Sequence, residues 1–218
     1  MATTTIGLVG AGTMGSGIAQ AGALSGYDVT MQDISDKQVA TGIKGITKSL
    51  ERLAAREKIS SDDQSSALAR IQGTTILEDL SECDVVIEAA TENIDLKIAV
   101  FGQLDELCKS DAILASNTSS LSITRLAAAT RRPDRVIGLH FFNPVPIMKL
   151  VEIVRALQTS DETFTEMDTL TRQFGEKEPV SVQDSPGFVV NRMLVPMINE
   201  AIFVCMKASP VPRKSIQR

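Results

Sequence analysis

The sequence predicts an α/β fold: a doubly wound, mostly parallel sheet, followed by the first helix of an incomplete all-α domain. Three observations carry this. Short apolar, β-rich runs alternate with helix-period segments, the pattern of parallel strands joined by crossover helices. The run Asp84-Val85-Val86-Ile87-Glu88-Ala89-Ala90 reads as a central strand, buried on both faces. Past Asp184-Ser185-Pro186-Gly187 the alternation gives way to one long apolar helix with little chain after it.

The first strand, Thr5–Val9, runs into Gly10-Ala11-Gly12-Thr13-Met14-Gly15. Gly10 permits a tight turn, Gly12 lets backbone N–H groups approach a pyrophosphate, and Gly15 lets the next helix pack closely on the sheet. That helix, Met14–Ser25, offers unpaired N–H groups and a dipole favourable to an anion. The second strand, Asp28–Gln32, ends at Asp33, 18 residues after Gly15. A carboxylate there can accept from both ribose hydroxyls and repels a 2′-phosphate, so the pattern is a Rossmann-type site for NAD rather than NADP. Helix Ser35–Arg56 follows, with Lys44, Lys48, Arg52 and Arg56 in a basic stripe that is either a solvated face or a phosphate contact.

The central strand, taken as Asp84–Glu88, leads to Thr91-Glu92-Asn93 and Lys97 at the start of helix Ile94–Cys108. Glu92 can hydrogen-bond a ribose or support the helix's first turn. Strand Ile113–Ser116 ends in Asn117-Thr118-Ser119-Ser120, more short polar groups than one helix cap near Ser122 requires. Strands Val136–His140 and Lys149–Val154, helix Asp161–Phe174 and strand Pro179–Val182 complete the alternation. Asp184 or Ser185 can then cap a helix with Pro186 in its first turn, running from Phe188 towards Lys207. Its Phe188, Met193, Val195, Ile198, Ile202 and Val204 offer apolar surface in need of partners. The expected organisation is a dinucleotide-binding domain over 1–184, the start of a truncated helical domain over 185–207, and a disordered tail over 208–218.

Composition narrows the function classes. A net charge of −5 argues against a nucleic-acid partner. Cys83, Cys108 and Cys205 show no metal-like spacing and suit a reducing compartment. The stretch Met193–Met206 is too short and too interrupted to span a bilayer, and Met-Ala-Thr-Thr-Thr leaves no room for a leader before the first strand. A cytoplasmic protein is expected.

The one histidine, His140, closes a strand before Phe141-Phe142-Asn143-Pro144-Val145-Pro146, where open α/β sheets bind ligands. It is either a packed histidine or a catalytic one. Glu152 bears on the choice: apolar neighbours on both sides imply burial, and a buried carboxylate needs a partner. His140 is the favoured partner and Lys149 the competing one. A Glu–His pair would fix the tautomer and raise the basicity of a general base.

Taken together, Gly-Ala-Gly-Thr-Met-Gly, Ala-Ser-Asn-Thr-Ser-Ser, Gly-Leu-His-Phe-Phe-Asn-Pro-Val-Pro, Lys-Leu-Val-Glu and Ser-Pro-Gly-Phe-Val-Val-Asn-Arg resemble the 3-hydroxyacyl-CoA dehydrogenases, closest to the short-chain, 3-hydroxybutyryl-CoA type, from Ile6 to about Lys207. The resemblance implies His140 as base, Glu152 as its carboxylate, and Ser119 and Asn191 on the substrate's reacting end. It implies Glu92, Lys97, Asn117, Ser119 and Asn143 around the nicotinamide half of NAD, beside Asp33 on the adenosine ribose. It places Ser49 and Arg56 on the CoA portion, the family usually having lysine where Arg56 stands. It further implies oxidation of a (3S)-3-hydroxyacyl-CoA to a 3-oxoacyl-CoA, no metal, and, in full-length relatives, a further helical half-domain that forms a homodimer. The rival readings are a truncated NAD-binding remnant with little activity and a related dehydrogenase of a free hydroxy acid.

Overall fold

A computed structural model describes residues 5–208 of the chain. Eight strands form one sheet: β1 (Thr5–Val9), β2 (Asp28–Gln32), β3 (Ile71–Thr74), β4 (Val85–Glu88), β5 (Ile113–Ser116), β6 (Val136–Phe141), β7 (Leu150–Arg155) and β8 (Glu178–Gln183). Their order is β3-β2-β1-β4-β5-β6-β7-β8. Every neighbouring pair is parallel except β6–β7, which is antiparallel. The order reverses between β1 and β4, and the connections after those two strands diverge to leave a crevice at their carboxyl ends.

Helices α1 (Thr13–Leu24), α2 (Asp36–Ala55), α3 (Ser61–Ala69) and α6 (Asp161–Gln173) cover one face, with Ile18, Ile46, Ala67 and Met167 packed on Leu8, Met31, Ile87 and Leu139. Helices α4 (Ile94–Leu107) and α5 (Ile123–Ala127) cover the other, with Phe101, Leu104, Ile123 and Leu126 against Val86, Leu114 and Val136. A last helix, α7 (Val190–Ala208), follows β8. Among the described residues no helix is long and apolar enough to cross a membrane. The tail expected over 208–218 lies outside the described residues apart from Ala208, which ends α7.

Two sequence expectations are corrected. Neither Asp184 nor Ser185 caps α7, and Pro186 lies in the turn before it. Asp184 instead caps α5: its Oδ2 accepts from Thr124 N and from Ser122 Oγ, both at 2.8 Å, while Ser122 is the N-cap whose Oγ accepts from Arg125 N. Two first-turn donors that lack intrahelical partners are thereby satisfied. Phe188, expected on the exposed face of the last helix, precedes it and is buried in the core at 2% exposure. It adopts φ 51°, after Gly187 at φ 75°, and this left-handed pair turns the chain so that the next two N–H groups face inward.

Candidate active site

The glycine turn has the geometry its residues imply. Gly10 sits at φ 107°, and a Cβ there would lie 2.7 Å from Ala89 O; one on Gly15 would lie 1.8 Å from Gly10 O. Both positions need glycine for close approach. Gly12 differs: nothing lies within 4 Å of where its Cβ would be, so its front is open, as a pyrophosphate cradle requires. Asp33 Oδ2 accepts from Ala11 N at 2.7 Å, and Oδ1 from Ile34 N at 2.7 Å and Gln38 Nε2 at 3.2 Å. The residues present therefore fit a dinucleotide.

A cavity of about 730 Å³ runs from Ala11-Gly12-Thr13 along α2, past Thr41, Gly45 and Ser49, to the wall Asn143–Pro146. Ser49 reaches it. Lys44, Lys48, Arg52 and Arg56 are exposed and outside its lining.

A second cavity, about 330 Å³, brings together Met14, Glu92, Lys97, Asn117, Ser119, His140, Asn143 and Asn191. Residues from five separate stretches of the chain, strand β6 among them, thus share one wall system at the carboxyl edge of the parallel strands. His140 and Glu152 are register partners across β6 and β7, and His140 Nδ1 lies 2.7 Å from Glu152 Oε2. Lys149, the rival partner, pairs with Glu176 at 2.6 Å. Glu152 Oε1 accepts from Val189 N at 3.0 Å and Val190 N at 2.9 Å, so the same carboxylate closes the start of α7. Burial raises its pKa, but the His140 contact and the two N–H groups outweigh that and hold the carboxyl below its ordinary value. The rings of Phe142 and Phe188, 4.4 and 5.8 Å from the imidazole centroid, pack beside it.

Across the cavity, Glu92 Oε1 accepts from Thr118 Oγ1, from Ser119 N at 3.0 Å and from Ser119 Oγ at 3.3 Å. Lys97 is 1% exposed, and its Nζ reaches Glu88 Oε1 at 2.6 Å, Ala90 O at 3.3 Å and Glu92 Oε2 at 3.4 Å. Three acceptors occupy the ammonium, and Lys97 lines the cavity beside Glu92. Asn117 Oδ1 accepts from Phe141 N at 3.0 Å, tying β6 to the loop after β5. Asn191 Nδ2 donates to Ser119 O at 3.3 Å. Among the described residues no cluster could hold a metal ion.

Sequence reasoning missed Glu88, fully buried at the end of β4, where Oε1 also accepts from Ala90 N and Oε2 from Ser116 Oγ. Its signal was available: a carboxylate ending an apolar run, the same argument that singled out Glu152.

Residues 5–185 match the family profile described as 3-hydroxyacyl-CoA dehydrogenase, NAD binding domain. The chain belongs to the 3-hydroxyacyl-CoA dehydrogenase family. This family member is 46% identical over 198 residues to a 3-hydroxybutyryl-CoA dehydrogenase of Bradyrhizobium diazoefficiens, covering 91% of the chain and 67% of that relative. It is 49% identical over 196 residues to a probable 3-hydroxybutyryl-CoA dehydrogenase of Bacillus subtilis, covering 90% of the chain and 68% of the relative. Among solved structures, the crystal structure of (S)-3-hydroxybutyryl-CoA dehydrogenase from Ralstonia eutropha superposes with a TM-score of 0.93 at 54% identity, covering 98% of the chain and 75% of that one. NAD is the cofactor of the domain.

Proposed function

We propose that the chain carries the cofactor site and the acid–base pair of a dehydrogenase interconverting (3S)-3-hydroxyacyl-CoA and 3-oxoacyl-CoA, with short acyl groups of the 3-hydroxybutyryl kind. The observation that carries this is the buried His140–Glu152 pair, with His140 on the wall of a cavity that also takes in Met14 of the glycine turn, and with Glu152 behind it. The names of the relatives support the substrate class.

NAD, when bound, supplies the acceptor for the hydride from C3. With Nδ1 committed to Glu152, His140 keeps Nε2 for the C3 hydroxyl proton, and Glu152 stabilises the imidazolium that results. Ser119 and Asn191, tied together through the Ser119 carbonyl, orient the C3 oxygen. Glu92, Asn117 and Asn143 hold the nicotinamide half, with Lys97 fixing Glu92; Asp33 takes the adenosine ribose. The CoA portion follows the larger cavity past Ser49 towards Arg56.

A second reading, NAD binding with little turnover, is favoured by one observation: Met193, Val195, Met197, Ile198, Ile202 and Phe203 on α7 are exposed. One assay separates the readings. Reduction of acetoacetyl-CoA by NADH, with acetoacetate at best a poor substrate, supports the acyl-CoA dehydrogenase. Equal turnover of the free acid overturns the substrate class, and NAD binding without turnover of either compound supports the second reading.

A further inference from the structure

Glu88, Lys97 and Glu92 form one electrostatic unit. Glu88 is 0% exposed and Lys97 1%, their charges 2.6 Å apart, while Glu92, 40% exposed, approaches the same ammonium at 3.4 Å from the cavity side. Two carboxylates face one ammonium, leaving one negative charge in excess. Glu88 does not reach the cavity lining, whereas Glu92 and Lys97 do. The ammonium of Lys97 is held more closely by Glu88, at 2.6 Å against 3.4 Å, so the excess charge falls to Glu92, in the cavity that Asn117 and Asn143 also line.

Hydrogen bonds hold that charge in place. Thr118 Oγ1, Ser119 N and Ser119 Oγ all donate to Glu92 Oε1, and Ser116 Oγ and Ala90 N to Glu88. Burial works against ionisation of Glu92, but these donors and Lys97 outweigh it and keep its carboxyl below the ordinary value. Preorganised charge of this kind needs no rearrangement when a ligand arrives.

Oxidised nicotinamide carries a positive charge on the ring and reduced nicotinamide carries none. We propose that the Glu88–Lys97–Glu92 unit is a counter-charge for the ring, shifting cofactor affinity towards the oxidised form, with Glu88 and Lys97 setting its net value and Glu92 presenting it. This rests on placing the nicotinamide in the cavity shared by Glu92 and His140. A ligand can shift an equilibrium only through differential affinity, and one unit of charge on an otherwise equal ring is such a difference.

The test is equilibrium titration of NAD and NADH, followed by calorimetry and by NADH fluorescence, on the 218-residue chain. Glu92→Gln neutralises the excess charge at a partly exposed site that folding tolerates. The ratio of Kd for NAD to Kd for NADH should rise about 3- to 10-fold, the effect of one charge about 4 to 5 Å away screened nearly as in water, as suits a carboxylate 40% exposed. Lys97→Met leaves two carboxylates and should lower the ratio. Because that variant strands a buried carboxylate, the double variant Glu88→Gln/Lys97→Met provides the control: its excess charge equals the wild type's, and its ratio should stay within about twofold. A merely structural role would weaken both cofactors together and leave the ratio unmoved in Glu92→Gln, overturning the proposal. Failure of both nucleotides to bind the wild-type chain overturns the cavity assignment itself, and the proposal with it.

Discussion

His140 and Glu152 stand opposite each other in register across the antiparallel pair β6–β7, and their side chains meet with Nδ1 2.7 Å from Oε2. Directly opposed residues on one sheet face bring their side chains into contact range. The pairing is thus a product of backbone register, and a slip of one residue would turn Glu152 to the other face.

This pairing gives the first prediction. His140→Gln should lower kcat by about 10² or more with little loss of NAD affinity, and Glu152→Gln should act in the same direction. Steady-state kinetics of acetoacetyl-CoA reduction measure both. Turnover near wild type in either variant would return that residue to a packing role.

Glu152 also carries a pH signature in stability. Burial pushes its pKa up, but His140, Val190 N and Val189 N bring the net value below the ordinary 4.5. A carboxyl depressed on folding contributes stability that is full above its unfolded pKa and is lost as pH falls through the folded one. The difference in thermal stability between wild type and Glu152→Gln should therefore be largest above pH 4.5 and close below it. A difference that grows on acidification contradicts the assignment.

Asp33 should make NAD bind at least about tenfold tighter than NADP, because its charge opposes a 2′-phosphate. Paired titrations of the two nucleotides decide it. Equal affinities would leave Asp33 as no more than the acceptor of Ala11 N, Ile34 N and Gln38 Nε2.

Charge reversal at Lys48 or Arg56 should raise KM for acetoacetyl-CoA and leave NAD affinity unchanged, since a remote phosphate contact supplies uniform binding. Ser49 lines the larger cavity while both cations sit on the exposed surface beside it. An unaltered KM in both variants would make the stripe a solvated face.

Asp184→Ala should cost about 1 kcal/mol through loss of the α5 cap, read as a lower Tm with NAD affinity retained. No change in Tm would show that water replaces the carboxylate at Thr124 N.

Much of this was legible in the sequence because local chemistry dictated it. The Gly10–Gly15 turn, Asp33, and the strands from β4 to β8 follow from backbone sterics and apolar runs. The Glu152 partner was legible for another reason: burial of a charge demands one. What escaped had weak local signals. Helix α3 is mostly polar, stopped at its start by the Ser60–Asp63 capping box, and β3 is a four-residue edge strand containing Gly73. The Asp184 cap joins positions 60 residues apart, which no local pattern reveals. Phe188 looked like helix surface because its apolarity was visible and its left-handed backbone was not.

The two oxygens of Glu152 serve different clients, an imidazole and the N–H groups of Val189 and Val190 at the entry to α7. Lifting that helix from its seat would strip two donors from the carboxylate and loosen its hold on His140. With His140 as the proposed base, its readiness is interlocked with the seating of α7, because both oxygens of its carboxylate partner are engaged only when that helix is docked. Under that proposal the enzyme carries a safeguard: a chain whose last helix is unseated is also one whose base is poorly held.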